Sequence, residues 1–106
     1  MKRYSKITPE GTRDFLFEES EQKIRVENAI TSVFEAHAYK KVITPTIEFF
    51  DVFDSDNTGI LPEDMYKLSD SRGRLTVLRP DNTAPIARMV ATRLGKNDFP
   101  VRLYYN

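Results

Sequence analysis

The chain has 106 residues, with 16 Lys/Arg, 16 Asp/Glu, one histidine and no cysteine. A chain of this length is one domain or part of one. The lack of cysteine excludes disulfides, thiolate metal sites and cysteine nucleophiles, and the single histidine excludes a two-histidine metal motif within the chain. No apolar run approaches the ~20 residues of a membrane span, and the basic N-terminus precedes no apolar stretch. We therefore expect a cytoplasmic protein with no signal peptide and no membrane partner.

Charge is balanced in total but not along the chain. Residues 1–64 carry 8 Lys/Arg against 13 Asp/Glu, whereas residues 65–106 carry 8 against 3. Arginine suits carboxylates and phosphates, because its planar guanidinium donates two parallel hydrogen bonds. The basic second part predicts either an anionic ligand or ion pairs with the acidic first part. Its five clustered arginines are Arg72, Arg74, Arg79, Arg88 and Arg93.

The first predicted element is a helix over residues 18–38. Its apolar residues recur at helical spacing, and Asp14 is a candidate cap before it. His37 continues the stripe near the helix C-terminus, where a cation is favoured. This position favours a packing or capping histidine over a catalytic one. The stripe consists of Val26, Ile30, Val33, Phe34 and His37.

The stretch "KKVITPTIEFFDVF" predicts a β-strand that Pro45 interrupts. Proline cannot donate to a β-ladder, so the strand lies at an edge, is bulged, or ends near Thr44. The next residues fit the first half of an EF-hand calcium loop, with Asp54, Asp56, Thr58 and Gly59 at ligand or turn places. The twelfth place should be glutamate but is methionine, so we expect an acidic surface loop and no metal site.

The second part of the chain predicts a hairpin, a helix and a strand. "MYKLSD-SRG-RLTVLR" places two β-rich runs around a turn. "TAPIARMVATRL" predicts a helix capped by Thr83 or Asn82, with Pro85 in its first turn and Gly95 at its end. "FPVRLYYN" begins another strand. This order predicts an α+β fold, with helices on a mostly antiparallel sheet. The predicted buried stripe of the helix, with Arg88 and Arg93 outside it, is Ile86, Met89, Val90 and Leu94.

The joint between hairpin and helix, "VLRPDNTAP", concentrates polar chemistry. A strand end that feeds a helix N-terminus favours anions, and Asp81 and Thr83 add a carboxylate and a hydroxyl beside Arg79. Such a site suits a zwitterion, whose ammonium the carboxylate would bind. The simpler interpretation is a helix cap together with an Arg79–Asp81 salt bridge, and local physics favours it. No catalytic pair, metal constellation or phosphate loop is present, so the residues predict a ligand site without a reaction.

Four segments carry a resemblance to a known family. "TPEGTRD", "AYKKVITPTIE", "MYKLSDSRGRLTVLRPDNTAPIAR" and "RLYYN" resemble, in this order and spacing, the start of the class II histidyl-tRNA synthetase core. They are more similar still to the non-catalytic branch of that family, the ATP phosphoribosyltransferase regulatory subunits. The resemblance implies that residues 1–106 are the N-terminal part of a class II synthetase-like catalytic-core domain, ending before the second class II motif.

The resemblance also implies roles for particular residues. The strand through Pro45 corresponds to the first class II motif, which builds the homodimer interface in the family. In the synthetases, a strand-end glutamate and threonine hold the α-amino group of histidine, and the matching residues are Asp81 and Thr83, with Arg79 in support. Aspartate is shorter by one C–C bond, roughly 1.5 Å. A catalytic contact tolerates such a shift poorly, since ~1 Å can cost about a hundredfold in rate.

Three hypotheses follow. The preferred one is a regulatory subunit without catalytic residues or cofactors, which assembles with the short-form ATP phosphoribosyltransferase catalytic subunit and senses histidine as effector. The second is a fragment of a histidyl-tRNA synthetase, which would activate histidine with ATP and bind tRNA. The third is an α+β interaction domain that shares only the scaffold.

Overall fold

The computed structural model describes residues 3–54 and 58–106. Two compact units are present: one holds the residues up to Ala38 together with Asn106, and the other is Tyr39–Tyr105. The first contains helix α1, Phe17–Ala36. The second contains the strands and helix α2, Thr83–Arg93.

Helix α1 matches the predicted helix to within two residues at each end. Its N-cap is Leu16, which makes no side-chain capping bond, so the prediction of Asp14 as the cap was wrong. Glu18 and Glu19 lie in the first turn, where negative charge complements the helix dipole. No residue of α1 is buried, and the predicted apolar stripe is exposed at Val26, Ile30 and Val33.

The C-terminus of α1 carries the only histidine of the chain. His37 is the C-cap, and its Nδ1 lies 2.8 Å from the carbonyl oxygen of Val33, to which a protonated Nδ1 donates. Ala38 follows with a left-handed backbone, φ +63°, a conformation that commonly ends helices. The prediction of a capping histidine is confirmed.

Pro45 separates strands that belong to two different sheets. Strand β1, Lys40–Lys41, pairs in parallel with β5, Leu103–Tyr104. Strand β2, Ile47–Phe49, pairs antiparallel with β4, Leu75–Leu78, and β3, Lys67–Ser69, lies on the other side of β4. The strand order β2-β4-β3 makes β2 an edge strand. Pro45 lies in the gap of residues 42–46 between the two ladders, where no ladder needs the N–H that proline lacks.

The β3–β4 hairpin is confirmed, and Asp70 organises its turn. Asp70 Oδ1 accepts the backbone N–H groups of Arg72 and Arg74, each at 2.8 Å, and Oδ2 accepts Arg74 Nε–H at 2.7 Å. Gly73 adopts φ +74°, which a glycine reaches without steric cost. The Arg74 backbone N–H, followed by the Arg74 guanidinium and the Arg72 N–H, lowers the pKa of Asp70 against an opposing effect of partial burial.

The core of the second unit is built from β4, the first turn of α2, and the segments that follow β2 and precede β3. Its centre is Phe53, Met65 and Val77, which are at most 7% exposed. Around them pack the partly buried residues Phe50, Val52, Ile60 and Ala84.

Helix α2 contributes to this core differently from the predicted pattern. Only Pro85 is fully buried, and the predicted stripe is half-buried. Arg88, predicted to lie outside the buried face, is half-buried as well. Arg88 is half-buried because it forms an ion pair with Glu48 of strand β2. The helix ends at Arg93 with Leu94 as C-cap, directly before Gly95.

Two predicted absences concern membranes and metals. Within the described residues, no helix combines the length and apolar character of a membrane span. Across 3–54 and 58–106, no three metal-ligating side chains converge on one point. Asp56, the third place of the calcium-like loop, lies outside the described residues.

Candidate functional site

The candidate site is the joint between β4 and α2. Strand β4 ends at Leu78, and α2 begins at Thr83, so four residues connect them. Pro80 fixes one backbone angle of the connection, and Pro85 is accommodated in the first helical turn, where a missing N–H costs nothing. The joint places Asp81 and Thr83 two residues apart at the N-terminus of α2.

The side chains at this joint do not cap the helix. Asn82 is the N-cap residue but makes no side-chain capping bond. Asp81 Oδ1 accepts the N–H of its neighbour Asn82 at 2.7 Å, and Asn82 Oδ1 accepts the hydroxyl of Thr44 at 3.4 Å. Thr83 makes no side-chain hydrogen bond to the described residues. The cap interpretation, which local physics favoured, was therefore wrong. None of the three side chains caps α2.

Arg79 does not pair with Asp81 either. Its Nη1 donates to the carbonyl oxygen of Thr44 at 2.5 Å and approaches the Thr44 hydroxyl at 3.3 Å. Its backbone N–H donates to the carbonyl of Thr46 at 3.0 Å. The predicted Arg79–Asp81 salt bridge was wrong. Arg79 instead joins the start of the joint to the segment around Pro45.

Asp81 and Thr83 line one cavity of about 550 Å³ in the second unit. This volume lies within the range of small-molecule sites, about 300–1,000 Å³. Arg88 and Thr58 supply its other polar groups. The remaining wall is apolar and consists of Val52, Phe53, Ile60, Ala84, Ala87 and Ala91.

The cavity combines an acidic end with an apolar wall. Asp81 is exposed, and its carboxylate and the Thr83 hydroxyl both present acceptor oxygens. An ammonium group donates up to three hydrogen bonds, and its positive charge is opposite to that of the Asp81 carboxylate. The arrangement suits a small organic cation with an apolar body. Within the described residues, no nucleophile lies beside a general base here.

The sequence reasoning missed an ion pair between Glu48 and Arg88. Arg88 Nε lies 2.8 Å from Glu48 Oε1, and Nη2 donates to Oε2 at 3.3 Å. The Glu48 side chain is 8% exposed and the Arg88 side chain 35%. The buried Nε–H is not aligned for a hydrogen bond with any described acceptor, so charge is the main attraction. A glutamate inside an apolar strand and an arginine beside an apolar helical stripe were the available signals.

Pro45 lies outside this cavity. It is exposed, between β1 and the edge strand β2, and lines a smaller depression that also contains Glu48 and Arg88. Arg88 therefore lies on both depressions. The structure brings Asp81 and Thr83 together, and places Arg79 and Pro45 outside their cavity.

A mostly antiparallel sheet with an acidic joint at a helix N-terminus agrees with the class II synthetase-like core that the sequence predicts. The family model for histidyl-tRNA synthetase matches residues 11–106. The chain belongs to the histidyl-tRNA synthetase family.

Relatives with curated names place the chain near one branch of this family. It is 45% identical over 105 residues to the ATP phosphoribosyltransferase regulatory subunit of Clostridium novyi, covering 99% of this chain and 25% of the relative. It is 47% identical over 100 residues to the subunit of the same name from Clostridium acetobutylicum, covering 94% and 25%. The chain spans about a quarter of the length of the curated relatives it matches.

Solved structures confirm the fold. The crystal structure of an ATP phosphoribosyltransferase regulatory subunit/histidyl-tRNA synthetase from Bacillus halodurans C matches with a TM-score of 0.85 and 37% identity, over 99% of this chain and 27% of that one. Apo histidyl-tRNA synthetase of S. aureus matches with a TM-score of 0.78 and 31% identity, over 94% and 24%. The predicted fold and the predicted family resemblance are both confirmed.

Proposed function

We propose that this chain is part of a non-catalytic regulatory subunit of a short-form ATP phosphoribosyltransferase in histidine biosynthesis. Curated relatives at 45% and 47% identity bear the regulatory-subunit name. In this proposal the protein is cytoplasmic, assembles with the catalytic subunit, activates it and makes it sensitive to histidine. Because the chain covers about a quarter of those relatives, the remaining parts of the site and of the partner surface lie in the full-length protein.

The observation that carries the proposal is the shared cavity of Asp81 and Thr83. Both side chains are free of capping bonds, so their oxygens can accept an ammonium group. Asp81 supplies the opposite charge, and charge-assisted hydrogen bonds are roughly twice as strong as neutral ones. The apolar wall suits the carbon skeleton of an amino acid. The proposed role of Asp81 and Thr83 is therefore to bind the amine end of histidine, with Arg79 in a supporting role.

Inhibition needs more than binding. Histidine must bind two conformations of the assembly unequally, since a ligand indifferent to both shifts neither population. A regulatory site is selected for affinity in one state, and it needs no reacting atom placed to a fraction of an ångström. An aspartate, with its shorter reach, meets that requirement.

The proposal includes a homodimer formed through the segment around Pro45. Pro45 is exposed, and Ile43 beside it is 81% exposed, so an apolar surface is presented next to an edge strand. Edge strands and exposed apolar residues are common at interfaces between subunits.

We expect Ile43→Glu to dissociate the dimer of the full-length protein. A buried unpaired carboxylate costs several kcal/mol, so the dimer dissociation constant should rise by more than about 100-fold. Light scattering across a dilution series measures this change. Ile7→Glu is the matched control, because Ile7 is also exposed, at 65%, but lies far from Pro45 in sequence. An equally stable dimer in Ile43→Glu would contradict the interface.

The alternative function is a histidyl-tRNA synthetase, which the match to the S. aureus enzyme at 31% identity favours. A synthetase activates histidine with ATP and releases pyrophosphate, so it catalyses histidine-dependent exchange of labelled pyrophosphate into ATP. We expect the full-length protein to show no such exchange above background. The S. aureus enzyme serves as the positive control. Exchange at a rate typical of a synthetase would overturn the regulatory proposal.

A further inference from the structure

Several contacts join residues 44–48 to the Asp81 joint and to both of its sides. On one side, Thr44 accepts the guanidinium of Arg79, which lies two residues before Asp81. On the other side, Glu48 pairs with Arg88, which lies five residues after Thr83 in the same helix. Thr44 also donates to the side chain of Asn82 between them. One short segment thus contacts the joint before, within and after the proposed amine site.

The Glu48–Arg88 ion pair is the strongest of these contacts, because a buried carboxylate needs a cationic partner. Glu48 faces Val77 across the β2–β4 ladder, and Val77 is fully buried. A carboxylate at 8% exposure is unfavourable without a partner. Arg88 supplies two nitrogen–oxygen contacts to it, which join α2 to β2. Thr83 lies five residues before Arg88, in the first turn of the same helix.

Arg88 also lines the cavity, so it could instead bind a ligand carboxylate directly. The positive charge of Arg88, however, is already paired with Glu48, and two nitrogens of its guanidinium contact that carboxylate. A ligand carboxylate would have to share the guanidinium with a buried anion, at a cost in repulsion. The geometry favours an indirect role.

We propose that Glu48 is a positioning residue for the amine site: it holds Arg88, and through Arg88 the N-terminal turn of α2 with Thr83 and the adjoining Asp81. This inference rests on the proposed function, because it takes the amine site to be that of histidine. Residues that orient ligating side chains contribute about 10- to 100-fold to affinity at metal sites. The lower end is expected here, because Asp81 is exposed and partly solvated.

The test uses the full-length protein and three ligands that separate the two ends of histidine. Histidine carries ammonium and carboxylate, histamine keeps only the amine, and imidazole propionate keeps only the carboxylate. Calorimetric titration is carried out on the wild type and on Glu48→Gln and Arg88→Gln. Arg93→Gln is the matched control, because Arg93 lies on the same helix and is exposed. Glu48→Asp, which keeps the charge, serves if Glu48→Gln fails to fold.

A positioning role predicts that Glu48→Gln weakens histidine and histamine by the same factor, on the order of tenfold. Imidazole propionate should not be weakened in Glu48→Gln, because Arg88 is then free of its buried anion, and no ligand should change in Arg93→Gln. Glu48→Asp should show the same ligand pattern with a smaller loss.

Other outcomes overturn the inference in distinguishable ways. Equal weakening of all three ligands would show a merely structural effect. In Arg88→Gln, a loss for histidine and imidazole propionate but not for histamine would make Arg88 a direct carboxylate ligand. Unchanged affinities in the Glu48 variants, while Asp81→Ala weakens histidine, would remove the positioning role and leave the proposed function intact. A wild-type protein that binds no histidine would overturn both.

Discussion

Replacement of Asp81 by alanine is expected to raise the histidine concentration for half-inhibition of the assembled transferase by roughly 10- to 150-fold. The variant loses a hydrogen bond between charged groups, worth about 1.5–3 kcal/mol, and every 1.4 kcal/mol is a factor of ten. Among the described residues, the Asp81 carboxylate makes one hydrogen bond, a local one to the N–H of Asn82. Its loss should therefore leave the fold and the assembly with the catalytic subunit largely intact. Inhibition curves of the reconstituted complex measure the shift.

Asp64→Ala is the matched control for this experiment. Asp64 is an exposed aspartate in the short 3-10 turn Pro62–Asp64 and does not line the cavity. It removes the same charge from the same unit, so general electrostatic effects should appear equally in both variants. Unchanged inhibition in Asp81→Ala, or an equal shift in Asp64→Ala, would discard the assignment of Asp81 to the histidine site.

Replacement of Phe53 by alanine is expected to lower the free energy of unfolding by about 3–5 kcal/mol, the usual cost of truncating a buried phenylalanine. Phe53 is 2% exposed, packs at the centre of the core and forms part of the cavity wall. Since natural domains have only about 5–15 kcal/mol of stability, this loss is a large fraction of the total. Urea denaturation of the full-length protein, followed by circular dichroism, measures it.

Phe17→Ala is the control for the core prediction. Phe17 is 85% exposed, and substitutions at such positions usually change stability by less than about 0.5 kcal/mol. The comparison separates the effect of burial from the loss of an aromatic ring. A midpoint in Phe53→Ala as high as in the wild type would contradict the core, and with it the wall of the proposed site.

Local patterns predicted the elements whose stabilisation is local. Helix α1 followed from its periodicity, and the β3–β4 hairpin from its turn residues, because Asp70 bonds backbone groups only two and four residues away. The interruption at Pro45 followed from a missing N–H. The residues that stabilise these features are close in sequence, so a local sequence pattern predicts them.

Features that depend on distant residues were missed or misjudged. Glu48 and Arg88 are separated by 40 residues, and their pairing depends on how α2 packs on the β2–β4 ladder. Arg79 and Asn82 were expected to bond within the joint but reach Thr44, nearly 40 residues earlier. The prediction of Asp81 and Thr83 as site residues came from the family resemblance, since local physics favoured a cap. Their shared cavity is consistent with that prediction.

The most direct test adds the full-length protein to the short-form ATP phosphoribosyltransferase catalytic subunit and titrates histidine while the activity is followed. We expect low activity of the catalytic subunit alone, higher activity with the full-length protein present, and loss of that gain as histidine is added. Activity that does not change when the full-length protein is added, or that histidine inhibits equally in its absence, would contradict a regulatory role.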